Sequence, residues 1–100
     1  MSLPSTIGYF IKDPAAQRPY SIDWTLALPA DRTIVASTWT LSGSDDVLVV
    51  TDGGFDGLYT TVWLESGNDE SDYYLTNRIT TDGDPEIVDE RTFALHVRER

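Results

Sequence analysis

Two stretches near the end of the sequence alternate between apolar and polar side chains, and this period of two constrains the fold more than any other feature. Such a period is typical of β-strands with one buried face. Between residues 73–81 and 88–98 lies Asp82-Gly83-Asp84-Pro85, which has the chemistry of a turn, so the pair predicts an antiparallel hairpin. Arg78 is expected to face Glu90 directly or diagonally on the outer side. The inward positions are Tyr73, Leu75, Asn77, Ile79, Phe93, Leu95 and Val97.

Three earlier stretches, residues 19–24, 47–51 and 58–64, indicate further short strands. The first alternates in the same way, and its proline places it at a sheet edge or at the start of a strand. The second is expected to end at Asp52-Gly53-Gly54 and the third at Gly67-Asn68, because these residues favour turns. Helical spacing is poor throughout the chain, so the sequence predicts an all-β fold.

Residues 32–41 are rich in β-branched side chains and predict another strand, but the apolar positions change parity along it. Ile34 and Ala36 belong to one face, and Trp39 and Leu41 belong to the other. Either both faces of this strand are covered, or an extra residue near Ser37 or Thr38 forms a β-bulge.

The chain has 100 residues and no cysteine, which predicts one domain without disulfides or thiolate metal sites. Each strand offers one apolar face, which a second sheet about 10 Å away can cover. The residues predicted to share the core between the sheets are Ile22, Trp39, Leu75, Ile79, Phe93, Leu95 and Val97. We therefore expect an immunoglobulin-like or fibronectin-III-like β-sandwich of about seven antiparallel strands, with a small closed barrel as the alternative. Residues 1–11 are expected to form a flexible N-terminal lead, and residues 12–100 the single domain.

The net charge of −10 is unevenly distributed. Residues 45–90 contain 13 acidic residues and one basic residue, Arg78, for a net charge of −12. Nucleic acid and anionic membrane surfaces normally attract clustered Lys and Arg, so neither is expected as a partner. The longest apolar run, residues 47–50, is far shorter than the roughly 20 residues of a membrane-spanning helix.

Residues for catalysis are few. His96 is the only histidine, and it lies on the outward parity of the last strand, where a solvated side chain is expected rather than a catalytic triad. A pair of carboxylates for glycoside hydrolysis needs a cleft that a domain of this size has little room for. No catalytic residue and no cofactor are predicted, and a small hydrolase is the least favoured function.

Acidic residues cluster in three turns, and their carboxylate oxygens are the type of ligand that calcium binds. The stretches are residues 52–57, 68–72 and 82–86. The last has acids at its first, third and fifth positions but lacks the glycine and the closing glutamate of an EF-hand loop. We expect ordinary acidic loops that keep the protein soluble, and no metal site.

Tyr59 and Trp63 flank Thr61 on one parity of their strand, and the apolar residues Leu58, Val62 and Leu64 lie on the other parity. Since a two-layer domain buries one face of each strand, Tyr59 and Trp63 form a candidate aromatic platform for a sugar or another protein. The alternative is that Trp63 lies at the rim of the sandwich, half covered by a loop.

Six sequence blocks together resemble a family of small tailed-bacteriophage proteins described as fiber-tail adaptor proteins. The resemblance spans residues 12–98. The acidic stretch at residues 68–72 and the stretch at residues 84–87 depart from it, because shorter, glycine-rich turns are expected there. The blocks are KDP at 12–14, YSIDW at 20–24, IVASTWT at 34–40, TVWLESG at 61–67, YLTNRITT at 74–81 and DERTF at 89–93.

The resemblance implies a single immunoglobulin-like domain that acts as a non-enzymatic structural component of a phage or prophage tail, made in the bacterial cytoplasm and assembled into the virion. Its expected partners are other tail or fiber proteins. The candidate interface residues are Tyr59, Trp63, Arg98 and Arg100. Basic residues at the end of one copy could approach acidic loops of the next, giving a monomer or weak oligomer in isolation and a ring in the virion if the rotation closes. The alternative function is a carbohydrate- or surface-binding module.

Overall fold

The structure, a computed structural model, describes residues 6–43 and 45–99. The strands within these residues are β1 (Thr6–Lys12), β2 (Gln17–Asp23), β3 (Ile34–Gly43), β4 (Leu48–Asp56), β5 (Tyr59–Ser66), β6 (Ser71–Thr81) and β7 (Val88–Val97). Four of them form one sheet in the order β1-β7-β6-β3, and three form a second sheet in the order β2-β5-β4. The all-β prediction is confirmed, and the described residues contain no helix that is long and apolar enough to cross a membrane.

The β6–β7 hairpin has the predicted strands and register. Leu75 lies opposite Phe93, and both side chains are buried. On the outer face Arg78 lies directly opposite Glu90, with 3.3 Å between Nη1 and Oε1. Both of these side chains are more than half exposed, so this ion pair identifies the register but adds little stability.

The two sheets enclose a single apolar core, as a β-sandwich requires. Both sheets direct alternate side chains into it, and a chain this size gains most of its stability from this burial. The predicted core residue Trp39 is only half-buried and packs against the cluster from β3. The other predicted core residues are all buried, namely Ile22, Leu75, Ile79, Phe93, Leu95 and Val97.

A polar side chain, Asn77, lies inside this core and is completely buried. Its Oδ1 accepts hydrogen bonds from Trp24 Nε1 at 3.0 Å and from Thr60 Oγ1 at 2.6 Å. Its Nδ2 donates to Ser37 Oγ at 2.9 Å and to the backbone carbonyl of Thr38 at 3.0 Å. Every donor and acceptor site of the amide is therefore used, which makes its burial tolerable. Because Thr60 belongs to β5, the network also joins the two sheets.

Of the two alternatives for β3, the structure shows the β-bulge, but the position given for it near Ser37 or Thr38 is wrong. The register against β6 shifts between Ile34 and Ala36, which leaves Val35 as the extra residue. Ala36 is exposed. An alanine fits either face of a strand, so its parity carried no information about the position of the bulge.

The predicted end of β4 at Asp52-Gly53-Gly54 is also wrong. The strand continues to Asp56, and these residues form an irregularity in its pairing with β5 between Asp52 and Phe55. Gly54 has a φ of 81°, a conformation that favours glycine and that can be used either in a turn or in a bulge. The sequence Asp52-Gly53-Gly54 is therefore compatible with a turn and with a bulge, and only the pairing with a partner strand distinguishes the two.

The N-terminal prediction needs two corrections. Residues 6–11 form most of β1 and not part of a flexible lead, and residues 1–5 lie outside the described residues. β1 pairs with β7 in parallel, so the strands are not all antiparallel. A parallel pair between the first and last strands contains no local turn, and for this reason it has no short-range sequence signal.

Candidate interaction surfaces

The outer face of β5 carries the predicted aromatic platform, Tyr59 and Trp63. β5 is the central strand of the three-stranded sheet, and its inward residues Val62 and Leu64 are fully buried. Tyr59 is 53% exposed and Trp63 is 40% exposed. The structure thus places Trp63 in the middle of a sheet face rather than at the rim. Half-exposed aromatic residues at such a position are typical of a docking surface.

The irregularity in β4 makes room for this platform. A Cβ atom placed on Gly53 would lie 3.1 Å from Trp63 Cδ1 and 3.0 Å from Thr61 Cγ2. The indole ring therefore packs closely over the backbone of β4, and a side chain at this position would displace Trp63 or Thr61 by a few tenths of an ångström. Gly53 is favoured here by the limited space and not by an unusual backbone angle.

Polar groups surround the aromatic rings. Ser21 Oγ and Thr61 Oγ1 share a hydrogen bond of 2.9 Å across the β2–β5 pair. Asp23 lies opposite Tyr59, and hydrogen bonds, chiefly from Thr25, hold the pKa of its carboxyl below the usual range. The outward positions of β2 and β5 include two acids and no base, and they are Gln17, Pro19, Ser21, Asp23, Tyr59, Thr61, Trp63 and Glu65. The platform is therefore aromatic with an acidic border.

The predicted arginine pair is separate from the platform. Arg98 follows β7 in the four-stranded sheet, with its side chain 63% exposed and Nε 3.8 Å from Glu70 Oε1. Its backbone N–H donates to the carbonyl of Lys12 at 2.9 Å. Arg100 lies outside the described residues. The structure therefore places Arg98 and Trp63 on different sheets, and it does not join them in one site.

His96 differs from the solvated histidine that its parity predicts. Its side chain is only 18% exposed, with Nδ1 2.7 Å from Asp72 Oδ1 and Nε2 3.5 Å from Glu70 Oε2. Both ring nitrogens face carboxylates, whereas a catalytic triad needs one nitrogen on a nucleophilic hydroxyl. The arrangement connects the start of β6 to the end of β7.

The acidic turns use their carboxylates to hold the backbone. Asp52 Oδ1 accepts a hydrogen bond from the N–H of Gly54 at 2.8 Å, and Asp82 Oδ1 accepts one from Thr33 at 2.8 Å. The bond from Thr33 holds the pKa of Asp82 below its usual range. Among residues 6–43 and 45–99, no group of three or more His, Cys, Asp or Glu residues is arranged to bind a metal ion.

The surface has two further apolar features that the sequence analysis does not predict. On the outer face of the four-stranded sheet, Ala94 lies between Tyr9 and Tyr74, which are 62% and 39% exposed. On the open side between β1 and β2, a groove of about 350 Å³ is lined by Phe10 and Tyr20, whose ring centroids are 5.3 Å apart. Tyr74 was detectable, because it has the outward parity of β6. The groove was not, because it depends on the unforeseen position of β1.

Lys12 is the other residue whose role is unexpected, since it is only 2% exposed. Its ammonium donates hydrogen bonds to the carbonyls of Ser66 at 2.8 Å and Asp13 at 2.9 Å. Burial lowers its pKa, and the nearby acids Asp13 and Glu65 oppose that shift. Lys12 thus fastens the end of β1 to the end of β5, which is a structural role.

Comparison with known proteins gives a match to a family. Residues 12–96 match the sequence model of a family described as podophage GP4 fiber-tail adaptor protein gp77. No curated protein matches the chain.

Proposed function

Because the chain belongs to the podophage fiber-tail adaptor family, we propose that it is a non-enzymatic structural component of a phage or prophage tail. In this role it docks tail and fiber proteins through protein–protein contacts. The family match over residues 12–96 is the observation that carries the proposal. The protein is made in the bacterial cytoplasm and resides in the virion tail.

The proposal includes an immunoglobulin-like fold. In constant-type immunoglobulin domains the second, fifth and fourth strands are neighbours, and so are the seventh, sixth and third. The orders β2-β5-β4 and β7-β6-β3 agree with this arrangement. The first strand differs, because β1 pairs with β7 and not with β2. This support comes from strand order alone.

The platform formed by Tyr59 and Trp63 is proposed as a docking surface for a tail or fiber protein. Tyrosine and tryptophan supply large contact areas with little loss of side-chain entropy, and they dominate many protein interfaces. The outer β5 face, with Pro19 and Thr51 on either side of Trp63, suits a folded partner. The acidic border favours partners that present Lys or Arg around an apolar centre.

Contacts between copies are proposed at the chain end that carries Arg98 and Arg100. These residues would approach acidic loops of a neighbouring copy in a head-to-tail arrangement, which forms a ring if the rotation closes. Arg98 already faces Glu70 within its own chain, so the intermolecular contact must compete with that pair. We expect a monomer or weak oligomer in dilute solution, with stable assembly only on tail partners.

The alternative function is a carbohydrate- or surface-binding module. The observation that favours it is the pair of hydroxyl groups on Ser21 and Thr61 beside the aromatic rings, because sugars bind by stacking and hydrogen bonding. In this case Trp63 would stack on a sugar ring.

A binding experiment separates the two functions. The tail and fiber proteins encoded with this chain are purified and tested against wild type, Trp63→Ala and the control Val88→Ala, which removes an exposed apolar side chain from the other sheet, alongside a glycan array. The adaptor function predicts binding to at least one of these proteins that only Trp63→Ala weakens. Glycan binding that Trp63→Ala abolishes, with no tail or fiber protein bound, would establish the alternative instead.

A further inference from the structure

β3 is a free edge of the four-stranded sheet. It pairs with β6 on one side, and none of the described residues pairs with it on the other. A free edge presents alternate backbone N–H and C=O groups to solvent, and these groups can pair with a strand from another chain. Ala36, Thr38, Thr40 and Ser42 along this edge are exposed.

The sequence of β3 lacks the usual devices that prevent such pairing. Edge strands are normally protected by proline, charged side chains, bulges or short length. β3 has ten residues, Ile34–Gly43, with no proline and no charge. Its one irregularity comes at the start, and the register is regular from Ala36 to Gly43. These eight residues leave room for an extended segment of roughly 25 Å.

The other edges of the two sheets are protected. β2 contains Pro19 together with charged residues on either side of it. β4 contains Asp52 and Asp56 and has the irregularity in its pairing with β5. β1 has seven residues and its own register shift before Tyr9. Because β3 differs from the other edge strands of the same domain, its lack of charge and proline does not simply follow from the overall composition of the protein.

Charge determines which occupant fits. Residues 34–56, which include β3 and β4, contain four aspartates and no Lys, Arg or His. β3 and β4 are the edges of the two sheets on the same side of the sandwich. A second copy of this chain would bring two such acidic sides together, and like charges oppose that pairing. A strand that carries Lys or Arg would be attracted.

We infer that the free edge of β3 is a second docking site, which binds an extended segment of a tail or fiber protein by strand addition. The segment is about eight residues long, pairs with the backbone of residues 36–43, and carries Lys or Arg facing the aspartates of the β3–β4 side. This assignment rests on the proposed adaptor function. A protein that joins two others needs two separate surfaces, and β3 lies on a different sheet from Trp63.

Backbone hydrogen exchange provides the direct test. The purified tail and fiber proteins encoded with this chain are added one at a time to the full-length labelled chain. Strand addition predicts that alternate amides within residues 36–43, those that do not bond to β6, exchange rapidly in the free chain and become protected in the complex. Protection that is confined to the platform would contradict the edge site and would leave the adaptor function intact. No binding by any of these proteins would overturn both.

Charge variants provide a second readout. Thr40 is exposed on the outer face of β3, so Thr40→Lys and Thr40→Glu add opposite charges beside the site with no core change. The matched control Ala15→Lys adds the same charge in the β1–β2 loop, at the opposite side of the sandwich. We expect Thr40→Lys to weaken binding about tenfold at low salt, while Thr40→Glu and Ala15→Lys change it less than about threefold.

The variants also separate the possible occupants. Equal weakening by Thr40→Lys and Ala15→Lys would show a general charge effect and overturn the site. Sedimentation of the chain alone tests a second copy as occupant. Protection of residues 36–43 that grows with chain concentration, together with a dimer, would show that β3 pairs with itself and would overturn the assignment to a basic partner strand.

Discussion

The β6–β7 hairpin and the β3–β4 segment are similar in length but differ in regularity. β6 and β7 pair without interruption over ten residue pairs, and both lie inside the four-stranded sheet. β3 and β4 are edge strands, and each contains an irregularity in its pairing. The hairpin supplies five of the buried apolar core residues that the sequence predicts, whereas the edge segment carries the half-exposed residues Val35, Val49 and Phe55.

This difference indicates that the hairpin mainly stabilises the domain, whereas the edge segment mainly shapes its surface. Interior strands are buried on one face and paired on both sides, so their sequence pattern must be strict. Edge strands are constrained on one side only and tolerate extra residues, glycine and exposed apolar groups. The bulge in β4 gives Trp63 its space, and the unprotected edge of β3 remains open to a partner. Changes in the hairpin should affect folding, and changes in the edge segment should affect surface properties.

The largest contrast is expected between two phenylalanines. Phe93→Ala removes a buried ring from β7 and should lower the free energy of unfolding by about 3–5 kcal/mol, most of the stability of a domain this size. Phe55→Ala in β4 removes a ring that is 43% exposed and should lower it by less than about 1 kcal/mol. Chemical denaturation measures both. Near-wild-type stability of Phe93→Ala would contradict the placement of this residue in the core.

A smaller effect is expected at the polar network that connects the two regions. Asn77→Ala leaves Trp24 Nε1 and Thr60 Oγ1 without their shared acceptor and should destabilise by about 1–3 kcal/mol. The comparison variant in β3 is Trp39→Phe, since Trp39 Nε1 is buried with no hydrogen-bond partner among the described residues. Its replacement should lower stability by about 1 kcal/mol or less. A larger loss for Trp39→Phe than for Asn77→Ala would reverse this ranking.

The irregularity in β4 can be tested with two neighbouring glycines. Gly53→Ala introduces a Cβ close to Thr61 and Trp63 and should cost about 1–2 kcal/mol. Gly54→Ala introduces strain through its positive φ, but it has open space around its Cβ. Only Gly53→Ala should therefore change the tryptophan fluorescence that comes from Trp63. Identical spectra for the two variants would show that Trp63 does not pack over β4.

A hydrogen bond joins the β3–β4 connection to the hairpin, and its contribution to the free energy of unfolding should depend on pH in both the acidic and the alkaline range. Tyr73 donates to Asp45 Oδ1 at 2.6 Å, and this bond, with those from Asn68 and Val47, holds the pKa of Asp45 below its usual range. Burial, with Asp45 beside it, raises the pKa of Tyr73. The contribution of Asp45 is full above the pKa of an unfolded aspartate and is lost as pH falls through its folded value.

The contribution of Tyr73 has the opposite direction, because it is full below the pKa of an unfolded tyrosine and is lost as pH rises through the folded value. Tyr73→Phe should therefore flatten the pH dependence of unfolding at the acidic and the alkaline ends, while Asp45→Asn should flatten it mainly at the acidic end. Thermal melts across the pH range measure this. Unchanged profiles in both variants would show that the bond contributes nothing.

The smallest change in stability is expected on adding calcium. This experiment tests one acidic turn in each of the two regions. The turns contain Asp52 in β4 and Asp82 in the β6–β7 hairpin. Their carboxylates already accept backbone hydrogen bonds, so millimolar calcium should change the melting temperature only as much as sodium at matched ionic strength. A large shift specific to calcium would reveal a site, and Asp52→Asn and Asp82→Asn would show which turn contains it.

The candidate site was predictable where a single strand determined it. The alternation of Tyr59, Thr61 and Trp63 against buried neighbours identified the platform from β5 alone. The space above Gly53 was not predictable, because it arises between two strands whose register the sequence left open. The free edge of β3 was hidden for a related reason, since the uncharged stretch is visible in the sequence but its position in the sheet is not.

The sequence by itself determined the features that depend on neighbours along the chain. Alternation specified the faces of β5, β6 and β7, and the turn between β6 and β7 specified their register, because a slip of one residue would expose the entire apolar face. Only the tertiary structure decided the pairing of β1 with β7, the bulge at Val35 and the burial of Lys12. Each of these depends on contacts between residues far apart in the chain. A local sequence pattern does not identify the distant backbone group that will form a hydrogen bond with a given donor or acceptor.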